Sequence, residues 1–399
     1  MMITQPYRAY CEGRQKANQF RRLVESEILP EGRVKQGGKT LINFASNDYL
    51  GLSQHPLLIA RAKEYADKYG AGTTASRLIT GNNPLYSQIE RKLAEGKGTE
   101  TALIMASGYQ ANMTVLAALA DSEVVGKPVT ILADRLSHHS LLQGGLLGIA
   151  TGNIKLQRFR HNDYKHLELL LDLQNENGAQ AIIVTESVFG MDGDRADLKT
   201  LADLAEKYSA LLYVDEAHAT GILGKNGFGL CADHAGHIDI AMGTFGKALG
   251  SFGAYIACSN DIRDYLLQRC GGLIYSTALP PAVLGAIDAA LDLLPKLETE
   301  RAHVASLATK MRQELNAQGW DCGTTTTHII PLLLGSEDAA TDLSNLLKQN
   351  GILAPAIRPP TVPRGTSRLR LSLSAAHTYK DVEHLLSVLK SYSSKRQAA

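Results

Sequence analysis

The sequence predicts an α/β fold with a large, mostly parallel sheet domain, an N-terminal arm and a smaller C-terminal α+β domain. Three observations carry this. Short apolar runs alternate with helical patterns through the middle of the chain, the order that builds parallel sheets. Those runs are apolar on both faces, as strands covered by helices on both sides require. After Pro280-Pro281 the order changes to strand, helix, strand, helix.

Along the chain, a polar opening leads into Leu41-Ile42-Asn43-Phe44, read as an arm plus a strand over residues 1–50. Residues 51–285 form the main domain. Its strands are expected at Val129–Asp134, Ala181–Glu186, Leu211–Glu216, Ile238–Gly243 and Gly253–Cys258, each short and partly β-branched. Helices are expected at Ser87–Lys97, Gly108–Ala120, His161–Asn175 and Asp197–Tyr208. The proline pair breaks the pattern and opens one long helix to about Gln318. Residues 286–399 then give strand His328–Leu334, helix Ala339–Asn350, strand Arg368–Ser374 and helix Lys380–Tyr392.

The chain has 399 residues, 44% hydrophobic and 20% charged, which allows a sizeable core. Basic residues number 41 and acidic ones 40, so charge gives no reason to expect nucleic acid or a membrane surface as partner. No run of about 18 apolar residues is present, and the opening Met1–Arg8 lacks the apolar core of a signal peptide. Five scattered cysteines without a CxxC pair fit reduced thiols. The expectation is a cytoplasmic protein without a metal site.

In open α/β sheets, ligands sit beyond the carboxyl ends of the strands. Val184-Thr185 runs into Glu186 and Leu211–Val214 into Asp215. Ile131-Leu132-Ala133 runs into Asp134, with His138 and His139 just beyond. Asp215-Glu216-Ala217-His218 also matches the second motif of one helicase class. That reading needs G-x-x-x-x-G-K-[ST] upstream, and Gly38-Lys39-Thr40 has Arg33 where the first glycine belongs. No G-x-G-x-x-G follows a strand, so a dinucleotide fold is unsupported.

Thr244-Phe245-Gly246-Lys247-Ala248-Leu249-Gly250 places a lysine among glycines just past an apolar run. An amine that attacks a carbonyl needs a neutral fraction, hence partial desolvation or a nearby cation. Asp215 and His218 precede Lys247 by one strand–helix–strand step. Pyridoxal phosphate (PLP) needs a lysine for a Schiff base and a carboxylate to keep its pyridine nitrogen protonated. Its phosphate needs backbone N–H groups at a helix start. Ser107-Gly108-Tyr109, opening a helix, can supply them.

Thr244–Gly253 resembles the cofactor-attachment motif of class II aminotransferase-like PLP enzymes. From about residue 20 to residue 392 the chain resembles an α-oxoamine synthase. Asn43–Leu52, Ser76–Asn82, Met191–Asp194 and Val214–Gly221 are the blocks that carry this. Leu273–Pro281 and Ile357–Pro363 are most similar to the biotin-pathway branch of the family. The resemblance implies a PLP-dependent transferase of fold type I and a homodimer with shared active sites. It implies decarboxylative condensation of an amino acid with an acyl thioester carried on coenzyme A or acyl carrier protein. In that branch the substrates are L-alanine and a pimeloyl thioester, giving 8-amino-7-oxononanoate, CO2 and free thiol.

The same resemblance assigns roles. Lys247 matches the Schiff-base lysine, which also handles the Cα proton. Asp215 matches the partner of the pyridine nitrogen, and His218 the donor to the ring's phenolic oxygen. His138, chosen over His139 by the pattern Ser137 to Ser140, matches the imidazole stacked on the ring. Glu186 matches a carboxylate near the acyl end, and Thr244 a phosphate-binding hydroxyl beside Ser107, Gly108 and Tyr109. Ser276 and Thr277 resemble residues given to the other subunit's phosphate. Arg370 matches the arginine that pairs with the amino acid carboxylate, a bidentate task for a guanidinium. Arg21 matches an arm residue that meets the distal carboxylate, and Asn47 and Thr361 resemble substrate-cleft residues.

One position departs from the family pattern. Val188-Phe189-Gly190-Met191-Asp192-Gly193 has Gly190 where the family carries serine, so a hydroxyl near the cofactor and Glu186 is missing, one that a water could replace. Alternatives are an α-oxoamine synthase for another acyl chain or for glycine or serine, a plain aminotransferase, and a non-catalytic partner subunit. The presence of Lys247 weighs against the last.

Overall fold

The computed structural model describes residues 4–149 and 154–397 and divides into two compact units. Residues 1–3 of the expected arm and 398–399 of the expected C-terminal domain lie outside the described residues.

The larger unit comprises Asp48–Gly190 and Arg195–Arg301. Its seven-stranded sheet runs Thr101–Met105, Ala254–Cys258, Ile240–Thr244, Leu211–Asp215, Gln180–Glu186, Val129–Asp134, Ile154–Phe159. Neighbours are parallel except at Ala254–Cys258, which runs against both of its partners. Helices Pro84–Lys97, Gly108–Leu119, Tyr164–Glu176 and Leu198–Lys207 lie close to their expected spans. Val115 of the helix Gly108–Leu119 and Ile131, Val184, Tyr213 and Ile256 of the strands are among the buried residues of the core between sheet and helices.

Two strands of this sheet are absent from the sequence expectation. Among the described residues, Ile154–Phe159 is an outer strand that pairs on one side only. Its partly exposed Lys155, Gln157 and Arg158 break the doubly apolar pattern of a central strand. Thr101–Met105 is only five residues long and follows its helix after a short turn.

The long helix expected after Pro280-Pro281 is two helices, Pro281–Leu293 and Glu298–Ala317, parted by a tight turn at Leu294–Lys296. Pro295 stands in that turn; it lacks an N–H and its ring clashes with a preceding helical turn. Pro281–Leu293 packs against Pro56–Tyr69. At Gly285 an added Cβ would lie 2.5 Å from the Arg61 carbonyl oxygen, so only glycine permits this approach. Arg61 and Lys92 each reach both Asp288 and Asp292 at 2.5–2.6 Å. This packing carries the larger unit on to Arg301, past the position near 285 read from the sequence.

The smaller unit draws on both chain ends: residues up to Asn47, the short segment Met191–Asp194, and Ala302 onward. One sheet is antiparallel in the order Ile329–Gly335, Ser367–Ser372, Ala356–Ile357. The other runs Glu27–Leu29, Arg33–Gln36, Lys39–Asn43, Ile352–Leu353, with the last pair parallel. Phe44 is buried among Val304, Met311, Leu332, Leu369 and Leu385 and stacks on His377 at 4.4 Å. Gly193 anchors the inserted segment, its carbonyl accepting from the Thr327 hydroxyl at 2.8 Å. Among the described residues no helix is long and apolar enough to cross a membrane.

Candidate active site

Strand register gathers the polar strand ends at one edge of the large sheet. Glu186 lies opposite Asp215 and Asp215 opposite Met242, while Thr244 and Met105 both lie opposite Ala254. The turns that follow therefore open side by side. Between them is a cavity of about 210 Å3 lined by Gly108, Tyr109, Asn112, His138, Ser140, Glu186, Asp215, Ala217, His218, Met242, Thr244 and Lys247.

Lys247 Nζ lies 2.8 Å from His218 Nε2, and His218 Nδ1 lies 2.7 Å from the Tyr49 hydroxyl. A protonated lysine can only donate, so with Lys247 charged the imidazole is bare at Nε2 and protonated at Nδ1. Asp215 is held at both oxygens. Its Oδ1 accepts from the Ala217 amide at 2.8 Å and its Oδ2 from Asn112 Nδ2 at 2.7 Å.

Glu186 is buried, with Oε1 accepting from the His138 amide at 2.6 Å and Oε2 from the Gly190 amide at 3.3 Å. Burial, reinforced by the charge of Asp215, raises its carboxyl to about 8; Lys247 and the two amides act in the opposite direction. The His138 ring is open to the cavity, yet the walls desolvate it enough to lower its pKa below the ordinary imidazole value. Asp215 opposes that shift, and Lys247 and His139 add to it.

Gly190 packs directly against His218. A Cβ there would stand 2.4 Å from His218 Nε2, so the imidazole itself fills the space a serine side chain would take. Gly190 is thus tied to the position of the histidine that meets Lys247.

The remaining expected residues are placed as follows. Ser107 caps its helix, its hydroxyl accepting from the Gln110 amide at 3.3 Å. The amides of Gly108 and Tyr109 open that helix and have no acceptor within it. The Thr244 hydroxyl donates to the Gly253 carbonyl at 2.9 Å and accepts from the Gly246 amide at 3.1 Å, so its one hydrogen is engaged. Ser276 accepts from Gln110 Nε2, and Thr277 bridges to Ser76. Neither lines the cavity with Lys247, and the adjacent Tyr275 is 86% exposed. His139 does not line it either.

Four residues belong to the smaller unit. Arg370 is buried, donating from Nη1 to Asn47 Oδ1 at 3.1 Å and to the Ser372 hydroxyl at 2.7 Å. Arg368, on the same strand face, pairs with Asp192 at 2.5 Å. Arg21 donates to the Thr361 hydroxyl at 3.0 Å.

Asn112 and Tyr49 were missed as site residues. The available signal for Asn112 was its spacing. It falls one helical turn after Gly108, on the same face of a helix otherwise buried through Ala111, Val115 and Leu116.

The family profile described as aminotransferase class I and II matches residues 39–389. The chain belongs to that family. It is 52% identical over 359 residues to the 8-amino-7-oxononanoate synthase of Gluconacetobacter diazotrophicus, covering 90% of this chain and 89% of that one. The like-named protein of Trichlorobacter lovleyi is 44% identical over 356 residues, covering 88% of each. Among solved structures, a serine palmitoyltransferase of S. paucimobilis with PLP and myriocin bound has a TM-score of 0.90 at 27% identity, covering 100% of this chain and 99% of that one. An 8-amino-7-oxononanoate synthase from Francisella tularensis has a TM-score of 0.75 at 28% identity, covering 90% and 99%. The family fold is the PLP-dependent type I fold, with the seven-stranded sheet and the smaller C-terminal sheet both present here.

Proposed function

We propose that this chain condenses L-alanine with a pimeloyl thioester, forming 8-amino-7-oxononanoate and releasing CO2 and free thiol. The observation that carries this is the meeting of Lys247, His218 and Asp215 at one cavity, on a chain about half identical to synthases of that name. PLP is the cofactor, and when bound it supplies an electron sink for charge at the amino acid's Cα.

The donor set suits it. Lys247 is the amine for its carbonyl and Asp215 the carboxylate for its ring nitrogen. His218 would face its phenolic oxygen and His138 the ring face. The amides of Gly108 and Tyr109 would hold its phosphate. A phosphate contact by Thr244 requires its hydroxyl to turn from the Gly253 carbonyl.

Lys247 Nζ takes the Cα proton of alanine, with His218 Nε2 placed at 2.8 Å to hold the ammonium that results. The alanine Cα then bonds to the thioester carbonyl carbon as the C–S bond breaks, and the departing thiolate takes a proton from solvent. Loss of CO2 leaves an electron pair on the same carbon, to which Lys247 returns a proton. Glu186, its carboxyl raised to about 8, is an O–H donor at neutral pH for the acyl carbonyl. In this reading Arg370 pairs with the alanine carboxylate, with Asn47 beside it. Arg21 and Thr361 meet the distal carboxylate, and Ser276 and Thr277 serve the second subunit of a homodimer. The thiol carrier is coenzyme A or acyl carrier protein.

The test is turnover of the PLP-loaded chain with alanine and pimeloyl thioester, following thiol and CO2. Lys247→Ala is expected to lose about 10^3-fold or more, the scale of a missing proton-transfer group. Amino transfer to a keto acid without thiol release would overturn the reading, as would full turnover in the variant.

A further inference from the structure

Asn112 and Ser140 have no step in the reaction above, yet both are buried at the cavity wall. We infer that Asn112 is a positioning residue that couples the Asp215 carboxylate to the His138 imidazole. Through Ser140 it holds His138 as the neutral tautomer with its hydrogen on Nε2. The inference rests on the site reading above and deepens it.

The argument is a count of donors and acceptors. A carboxylate oxygen only accepts, so the Asn112 atom 2.7 Å from Asp215 Oδ2 is the amide nitrogen. The same nitrogen reaches Ser140 Oγ at 2.9 Å, and the amide oxygen accepts from the Tyr213 hydroxyl at 2.8 Å. A flipped amide would set oxygen against carboxylate, so three contacts fix one orientation.

Ser140 Oγ accepts from Asn112, and its single hydrogen is left for His138 Nδ1 at 2.7 Å. A second, independent donor points at the same nitrogen: the Ser140 amide, at 3.3 Å. An N–H cannot accept. Two donors at Nδ1 leave no place for a hydrogen there, so the ring's hydrogen sits on Nε2. The count also excludes the imidazolium, which carries hydrogens on both nitrogens. What His138 offers a ligand is therefore a hydrogen-bond donor at Nε2 and no base. One amide fixes both this donor and the Asp215 carboxylate.

The test is solid-state NMR of the full chain labelled with 15N-histidine, with and without PLP, at pH 7. The His138 signals are identified by their loss in His138→Gln. Wild type is expected to show a bare Nδ1 and a protonated Nε2. Asn112→Ala removes the donor that commits the Ser140 hydrogen to His138, and the His138 signals are expected to shift toward a tautomer mixture. Ser140→Ala, a milder change, is expected to shift them in the same direction. A hydrogen on Nδ1 in wild type overturns the assignment. Unchanged His138 signals in a folded Asn112→Ala overturn the coupling; where that variant does not fold, unchanged signals in Ser140→Ala do so. Because the spectra need no turnover, failure of the proposed condensation and failure of this inference are separate results.

Discussion

At neutral pH the Glu186 carboxyl keeps its proton, because burial beside Asp215 raises it from 4.5 to about 8. An unfolded chain gives that proton up near the ordinary value, so the folded state binds it more tightly. The resulting stabilisation is fully present below 4.5, declines as pH rises through the window, and is gone above about 8. Glu186→Gln is neutral throughout and has no such proton. Melting temperatures of wild type are therefore expected to fall further between about pH 5 and about pH 9 than those of the variant. Parallel melting curves against pH would refute the raised value. Lys247, Asp215 and His218 could be read from the sequence because short motifs carry them. Gly190 shows the limit of that reading. Its spelling is plain, but the imidazole filling its vacant side-chain space arrives from a different strand end.

The turn after Leu211–Asp215 is secured from below by an element no motif marks. Lys97, the last residue of helix Pro84–Lys97, pairs with Glu216, and both side chains are fully buried. Burial works against the Lys97 ammonium, but the Glu216 carboxylate outweighs it and raises the pKa. Glu216 also accepts from the Cys231 amide at 2.9 Å, and its carbonyl accepts from the Thr220 amide at 2.9 Å within the turn. Removing one partner strands the other's charge, a cost of about 3–5 kcal/mol. Lys97→Met is expected to lose about that much in urea unfolding. Adding Glu216→Gln, which keeps an acceptor for Cys231, is expected to recover part of it. Strictly additive losses would sink the pairing argument. Buried strands were legible because a doubly covered sheet demands apolar runs. This ion pair was not, since Lys97 reads in sequence as an ordinary basic helix end.

On the scale of the whole molecule, the order of segments misleads where their composition does not. The polar opening was read as an arm apart from the C-terminal α+β domain, yet Lys39–Asn43 pairs in parallel with Ile352–Leu353, and Phe44 enters the core built from residues beyond 302. A parallel partner far along the chain leaves no local signal. The first helix, Gln5–Lys16, buries no residue, whereas Phe44 is fully buried. Stability should therefore depend on the two stretches very differently. Phe44→Ala removes a ring from a closed core and leaves a cavity, a loss of about 3–5 kcal/mol. A chain starting at Glu27 buries nothing less in the core and loses a few exposed or half-buried hydrogen bonds, such as Asn18 to Asp338 at 2.8 Å and Gln19 to Glu337 at 3.2 Å, for which a change within about 1 kcal/mol is expected. Urea unfolding of both against wild type decides the matter: a shortened chain as unstable as Phe44→Ala would mean that the opening residues are structural after all.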